Sequence, residues 1–221
     1  MASFEIVYVD DYSAFVENVV RSCKEVEKLG RERPIEVLAR DYKEILSANG
    51  AIVAEFGVAG GHTLQILAGA AGSNVVHGFD SFEGLPEDWR KGYGKGGFST
   101  GGKVPTIRGG NVKFHVGWFD ATIPDFVKDV MGGSGSGKNI ALLHVDCDLY
   151  SSTKTIFEGL GEFIRDTIVV FDELIGYETF EKHEIKALWE WMGSVEVKGG
   201  VKVEILKVRG ENVGCRVRRG N

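Results

Sequence analysis

Hydrophobic residues recur at helical spacing in the first fifty positions of the chain. Between residues 12 and 29 this spacing predicts one amphipathic helix. Its apolar positions are Phe15, Val19, Val20, Cys23 and Val26. A second helical face starts at Pro34, a residue suited to a first helical turn, and ends at Asn49-Gly50. We expect residues 1–49 to form an N-terminal helical cap whose apolar faces pack on the core or form an interface.

From Gly50 onward, short apolar runs alternate with helix-like segments. Five runs predict strands, at 51–56, 74–79, 112–116, 140–145 and 167–171. Strands that alternate with helices form parallel sheets, and fully apolar strands are covered on both faces, so the pattern predicts a Rossmann-like α/β fold. Two further runs, 201–208 and 213–217, predict an antiparallel C-terminal edge. We therefore expect a mostly parallel seven-stranded sheet in a single domain spanning 1–221.

Residues 84–110 interrupt this alternation. Eight of the nineteen residues at 92–110 are glycine, and aromatic and basic residues are interleaved among and just before them. A stretch this long without regular structure inside a compact domain is usually a functional lid or a disordered loop. We predict a Gly-rich lid that is mobile without ligand; an ordinary mobile surface loop is the alternative.

Composition narrows the class of protein. The 221 residues include 26 Lys and Arg against 32 Asp and Glu, a net charge of −6, which argues against a nucleic-acid binder or an anionic-membrane binder. Neither a signal peptide nor a run of 18 apolar residues is evident. The three cysteines, Cys23, Cys147 and Cys215, form no CxxC motif, so we expect free thiols and a cytoplasmic location.

The first chemical motif is Glu55-Phe-Gly-Val-Ala-Gly-Gly61, which lies between a predicted strand and a predicted helix. A glycine turn at that place lets a ligand approach the backbone. Asp80 ends the next strand and is placed to accept hydrogen bonds from both hydroxyls of a ribose. The glycines do not match the dinucleotide pattern, and Glu55 near them would repel a pyrophosphate but favour a cationic, amino-bearing ligand. The motif therefore predicts S-adenosylmethionine (SAM), with a tight turn that binds no ligand as the alternative.

The second motif is a set of acids at two strand ends, Asp146 and Asp148 after the fourth strand and Asp172 and Glu173 after the fifth. The carboxyl ends of adjacent strands face one crevice in such a sheet. Converging carboxylates repel one another unless a cation joins them, and hard oxygen ligands suit Mg²⁺ or another divalent cation. Helix caps, a solvated acidic rim, or a phosphohydrolase with Asp146 as nucleophile and Asp148 as acid/base are the alternatives.

These segments resemble the macrocin O-methyltransferase family of metal-dependent sugar O-methyltransferases. The resemblance covers about residues 40–192, and its matching segments are Glu55–Leu64, Gly78–Pro86, Gly117–Phe119 with Thr122–Pro124, His144–Thr153 and Phe171–Glu173. Gly78-Phe-Asp-Ser-Phe-Glu-Gly-Leu-Pro86 is the most specific match. Three features depart from the family pattern: His62 replaces a small hydroxyl residue, Glu173 replaces an aspartate, and the N-terminus is short.

The resemblance implies a class I methyltransferase fold and a SAM- and Mg²⁺-dependent O-methyltransferase. It suggests Asp146, Asp172 and Glu173 as metal ligands. It also implies a set of cofactor-binding positions: Glu55, Gly57, Ala59, Gly60, Gly61, His62, Thr63, Asp80, Ser81, Gly117, Trp118, Phe119 and Asp146. Of these, Gly57 to Gly61 would contact the methionine portion, Asp80 the ribose, and Gly117-Trp118 the adenine region.

The proton acceptor and the methyl acceptor stay open at this level. Asp146, Asp148 and His183 are the candidate catalytic residues, because either aspartate could take a proton at the metal and His183 could lie over the crevice. We expect a small-molecule hydroxyl acceptor, a sugar or a polyhydroxylated natural product, and allow for a homo-oligomer through the N-terminal helices. A SAM-binding protein without turnover is the non-enzyme alternative.

Overall fold

Eight strands form one mixed sheet within residues 5–26, 28–194 and 200–220, the part of the chain that the computed structural model describes. The strands are β1 (Glu5–Val7), β2 (Ile52–Phe56), β3 (Val76–Asp80), β4 (Val112–Val116), β5 (Ile140–Val145), β6 (Asp166–Phe171), β7 (Val201–Arg209) and β8 (Asn212–Arg219). Their order across the sheet is β1-β7-β8-β6-β5-β2-β3-β4.

Five adjacent strands are parallel, from β6 to the edge strand β4, and β8, β7 and β1 continue the sheet beyond β6 as an antiparallel edge. This confirms the predicted sheet and adds one strand to it. The additional strand, β1, has three residues, of which only Ile6 is buried. A run this short has no periodicity that sequence analysis could detect.

Seven α-helices cover the two faces of the sheet in the described ranges. They are α1 (Tyr12–Glu25), α2 (Pro34–Asp41), α3 (Lys43–Leu46), α4 (His62–Ala70), α5 (Phe119–Phe126), α6 (Tyr150–Leu160) and α7 (Glu184–Met192). The Asp11 side chain caps α1 by accepting from the Ala14 amide at 3.0 Å, and Pro34 begins α2. Helix α5 is continued by a π-helical turn, Val127–Met131.

The N-terminal helices lie on opposite faces of the sheet. Phe15 and Val19 of α1 are buried with residues of α6 and α7, whereas Leu38 of α2 is buried with Leu64 and other residues on the α4 face. Both helices thus bury apolar residues in the core, on opposite faces of the sheet. None of the helices in these described ranges has both the length and the apolar composition that crossing a membrane requires.

Candidate active site

Strand register brings the carboxyl ends of three neighbouring strands to one level. Phe56 pairs with Val145, and Val145 pairs with Phe171. The residues that follow are held by backbone hydrogen bonds, since the Asp146 amide donates to the Phe56 carbonyl at 2.9 Å and the Asp172 amide to the Val145 carbonyl at 3.0 Å. Both aspartates therefore leave the sheet side by side, next to the glycine turn after β2.

The glycine turn passes directly against β5. Gly57 has a φ of +92°, and a Cβ atom placed on it would lie 1.7 Å from the Asp146 carbonyl oxygen. No other residue fits that position. The turn ends at Gly61, which has a φ of +78° and is the N-cap residue of α4. Close packing of the turn on Asp146 thus joins the predicted cofactor turn to the acidic edge.

Asp80 holds this turn through its carboxylate. Oδ2 accepts hydrogen bonds from the Val58 and Ala59 amides, both at 2.8 Å, and Oδ1 accepts from the Phe82 amide at 2.7 Å. A carboxylate oxygen has two lone pairs, so Oδ2 is saturated and Oδ1 has one left. Asp80 therefore keeps one lone pair, on Oδ1, for a ligand in the cavity, whereas the predicted contact with both hydroxyls of a ribose would need two.

A cavity of about 820 Å³ extends from the glycine turn to the acids. Thirteen of the predicted site residues line it: Gly57, Ala59, Gly60, His62, Thr63, Asp80, Ser81, Trp118, Phe119, Asp146, Asp148, Asp172 and Glu173. Gly84, Leu85, Pro86, Gly97 and Phe98 of the predicted lid also line it. A volume of this size is usual for the pocket of a small-molecule ligand.

Four predicted residues are not among the described residues that line the cavity: Glu55, Gly61, Gly117 and His183. Glu55 is fully buried in the sheet. The Gly117 amide donates to the Asp80 carbonyl at 3.0 Å, so this residue places Trp118 beside Asp80. His183 lies behind the lid, with its ring centroid 6.4 Å from that of Trp89 and its Nε2 3.4 Å from Thr179 Oγ1.

Glu55 and His144 form a buried pair beneath the acids. His144 Nδ1 lies 3.0 Å from Glu55 Oε2, and both side chains are fully buried. Burial lowers the pKa of His144, but the hydrogen bond and charge of Glu55, together with the charges of Asp146 and Asp172, outweigh this effect, and the net shift is upward. His144 Nε2 and Glu55 Oε1 have no hydrogen-bond partner within the described residues.

The acids above this pair form a crowded cluster. Single donor atoms of His144, Asp146 and Asp172 lie within 4.8 Å of one another. Burial raises the pKa of Asp146, and the charge of Asp172 adds to this effect while His144 opposes it. Asp148, at a φ of +65°, has its pKa raised by burial and by Asp172. Such a cluster is costly without a cation, because carboxylates that share one site repel one another when they ionise.

Glu173 lines the cavity but is not part of the group whose donor atoms lie within 4.8 Å of one another. Its amide donates to Glu184 Oε2 at 3.3 Å, and its carboxyl group is in hydrogen-bonding reach of Asp148. Burial and the neighbouring Glu184 raise the pKa of Glu173, so this side chain favours the neutral form. The resemblance suggested Glu173 as the third metal ligand, whereas the described donor atoms that lie within 4.8 Å of one another are those of His144, Asp146 and Asp172.

Several cavity residues were not singled out from the sequence. They are Arg33, Val58, Asp120, Cys147, Ser151, Ser152 and Thr155. Ser151 and Ser152 lie in the segment His144–Thr153 that contains Asp146 and Asp148, and Asp120 follows Phe119, so proximity in sequence could have indicated them. Arg33 had no such signal, because it precedes α2 and reaches the cavity only through the packing of that helix.

Comparison with known proteins gives a family and a fold. The model of a methyltransferase-domain family matches residues 54–174. Among solved structures, the calicheamicin methyltransferase CalS11 is 20% identical, with 95% of each chain covered and a TM-score of 0.60. The O-methyltransferase NovP is 17% identical, with 95% of this chain and 100% of that chain covered and a TM-score of 0.56.

The O-methyltransferase TomG from Streptomyces achromogenes, solved with SAM, is 13% identical, with 97% and 92% of the two chains covered and a TM-score of 0.52. At these identities the likeness shows a shared fold, and it confirms the predicted Rossmann-like class I methyltransferase fold. No curated protein matches the chain.

Proposed function

Because the chain belongs to this methyltransferase-domain family, we propose that it transfers a methyl group from SAM to a hydroxyl group of a small molecule, a sugar or a polyhydroxylated natural product. The observation that carries the proposal is the single cavity that joins the glycine turn at Gly57 to the acidic edge at Asp146 and Asp172. One end suits a cofactor and the other suits an acceptor, so methyl donor and hydroxyl group can be aligned in one enclosure.

The cofactor would lie along the glycine turn. The remaining lone pair of Asp80 Oδ1 would accept a ribose hydroxyl, and Trp118 and Phe119 would pack on the adenine. Arg33 is the only Lys or Arg among the described residues that line the cavity. Since the carboxylate is the only anionic group of SAM, we assign Arg33 to the methionine carboxylate.

Asp146 and Asp172 would hold a divalent cation between them. The fit rests on the convergence of the two side chains and on the raised pKa of Asp146. Burial and the charge of Asp172 raise this pKa, and a bound cation would lower it again. A divalent cation supplies acidification of a bound hydroxyl group. His144 could give a third donor atom only as a neutral ring, and Glu55 favours the charged ring. Oxygen donors from Glu173 or water are therefore the better complement for Mg²⁺.

Asp146 and Asp148 are the proposed proton acceptors, because both line the cavity. His183 would need a change in its side-chain position to reach a hydroxyl group there, since it lies against Trp89. We rank the two aspartates first for this reason. Single-domain organisation, a cytoplasmic location and a homo-oligomer through the N-terminal helices stay predictions.

The proposed class of methyl acceptor rests on the similar solved structures as well as on the cavity. CalS11 is described as a TDP-rhamnose 3'-O-methyltransferase, and NovP and TomG as O-methyltransferases. The family match favours methyl transfer over the phosphohydrolase alternative. A panel of sugars, nucleotide sugars and polyhydroxylated aromatic compounds is therefore the first choice of acceptors.

The test combines binding with turnover. Calorimetry should show binding of SAM and of S-adenosylhomocysteine (SAH), and none of NAD. Incubation with SAM and the acceptor panel should yield SAH and a product heavier by one methyl group. Binding of NAD in place of SAM would overturn the proposal. Tight SAM binding without transfer to any acceptor would instead support the non-enzyme alternative.

A further inference from the structure

Arg90, in the lid of residues 84–110, is held between three separate parts of the chain. Its guanidinium carbon lies 4.0 Å from the ring centroid of Trp89, in the lid, and 4.6 Å from that of Tyr177, in the loop after β6. Its Nη1 donates to Glu211 Oε2 at 2.9 Å, in the turn between β7 and β8. The Arg90 side chain is 23% exposed and that of Glu211 33%, so water screens the pair only in part.

Glu211 belongs to a turn that also supports the acidic loop. Its carbonyl oxygen accepts from the Leu174 amide at 3.1 Å, and the side-chain amide of the next residue, Asn212, donates to the Asp172 carbonyl. The turn therefore contacts the lid through the Glu211 side chain and the acidic loop through the backbone. A displacement of the turn would therefore change its contact with the lid and its contact with the acidic loop together.

The lid side of this arrangement reaches the cavity. Leu85 and Trp89 are buried with Leu149, and Leu85 lines the cavity. The Tyr93 ring, whose centroid is 5.4 Å from the Arg90 guanidinium, stacks on Phe98 with a centroid distance of 5.3 Å. Phe98 also lines the cavity. Arg90 is thus connected to the outer wall of the cavity on both sides, through Leu85 and through Phe98.

We propose that Arg90 and Glu211 are positioning residues that latch the lid over the acceptor end of the cavity and hold it in register with the loop of Asp172. The proposal rests on the methyl transfer proposed above. The planar guanidinium group stacks between two rings while its fork reaches a carboxylate, which an ammonium group cannot do. Opening of this latch would admit the acceptor, and closing it would set Leu85 and Phe98 against the acceptor.

The first experiment measures how readily the lid opens in the absence of an acceptor. Arg90→Met removes the stacking and the ion pair, and Glu211→Gln removes only the charge. We expect trypsin to cleave after Lys95 about tenfold faster in Arg90→Met, since two contacts of ordinary strength are lost. Glu211→Gln should give a smaller increase, and the double variant should equal Arg90→Met. Arg108→Met, which removes the same charge from an exposed lid position, should cleave as the parent does.

The second experiment separates acceptor handling from cofactor binding. Arg90→Lys and Glu211→Gln should raise the acceptor KM several-fold while SAH affinity by calorimetry stays at the parent value. Additive effects of the two sites on cleavage, or a parent-like cleavage rate in both single variants, would overturn the latch. If Arg90→Met does not fold, as judged by its Tm, Arg90→Lys and Glu211→Gln carry the test. A parent protein that binds no SAH would overturn the proposed function, and the cleavage rates would still decide the latch.

Discussion

Glu55 and His144 face each other across β2 and β5 and share a hydrogen bond of 3.0 Å with no exposed surface on either side chain. Loss of one partner would leave the other polar group buried without compensation, which costs about 3–5 kcal/mol. We therefore expect Glu55→Met and His144→Leu, which remove the polar group, each to lower the free energy of unfolding strongly. Urea denaturation of the two single variants and the double variant measures this.

The double variant is the control for that prediction. If the pair acts as a unit, its loss of stability should be clearly smaller than the sum of the two single losses. A strictly additive result would show that each side chain is stabilised by other contacts and that the 3.0 Å hydrogen bond contributes little.

The turn that Asp80 holds gives a second prediction. Asp80→Asn puts an amide where backbone N–H groups of Val58, Ala59 or Phe82 now donate, so at least one hydrogen bond to a charged acceptor is lost, about 1.5–3 kcal/mol. Both the free energy of unfolding and the SAH affinity should fall. Ser81→Ala, next to it, removes only the hydroxyl that accepts from the Glu83 amide and should change stability little. An Asp80→Asn protein as stable as the parent would contradict the role in the turn.

Much of this arrangement could be predicted from local patterns, and some of it could not. The parallel strands β2, β3, β5 and β6 were recognisable because they are buried on both faces at nearly every position, and the acids because they follow such strands directly. The Glu55–His144 pair depends on the register of strands 89 residues apart, which no local pattern encodes. The three hydrogen bonds of Asp80 depend in the same way on how two loops meet, so the sequence suggested a ribose contact and missed the turn.

The metal proposal predicts a loss of ion binding in Asp172→Asn. This change keeps the size of the side chain and removes one of the two charges that converge with His144. Calorimetric titration with Mn²⁺ should show weaker binding in the variant and parent-like SAH affinity. Activity should vanish in EDTA and return with Mg²⁺ or Mn²⁺.

Glu178→Gln is the matched control, because it removes an exposed carboxylate from the same loop. It should bind Mn²⁺ as the parent does. Full activity in EDTA, or equal Mn²⁺ affinity in Asp172→Asn and the parent, would show that the acids are not a metal site. Glu173→Gln then tests the third ligand, since it should weaken binding only if Glu173 contacts the ion.

A histidine pair outside the site predicts a pH dependence of stability. His77 Nδ1 lies 3.0 Å from His115 Nε2 on the neighbouring strand, and burial lowers the pKa of each to about 4. Between pH 6.5 and 4 the unfolded chain binds protons that the folded chain does not, so this pair destabilises the fold as pH falls. For the buried His77 the slope is at most about 1.4 kcal/mol per pH unit.

Urea denaturation at several pH values between 7.5 and 4.5 measures that slope. The buried acids of the site have raised pKa values and act in the opposite direction, so the comparison is between the parent and His115→Gln. The variant should lose less stability than the parent as pH falls, because one of the two groups no longer titrates. Identical slopes in the two proteins would contradict the assignment.

Arg33 provides the most direct test of the proposed cofactor orientation. Its side chain is 32% exposed, and its only ion pair within the described residues is a long one, 3.5 Å to Glu36, so the guanidinium group is available to a ligand in the cavity. Arg33→Met keeps most of the aliphatic length and removes the charge. If Arg33 binds the methionine carboxylate, SAH affinity should fall by about tenfold, the lower end for a hydrogen bond to a charged group at a partly exposed site.

Methylthioadenosine, which lacks the amino-acid portion of SAH, should bind the parent and the variant equally. Arg31→Met, a change of the same charge at an exposed neighbouring position, should alter neither affinity. Calorimetry with the two ligands and three proteins decides the matter: equal losses for both ligands would place Arg33 near the adenosine portion, and unchanged SAH affinity with a raised acceptor KM would assign it to an anionic group of the acceptor instead.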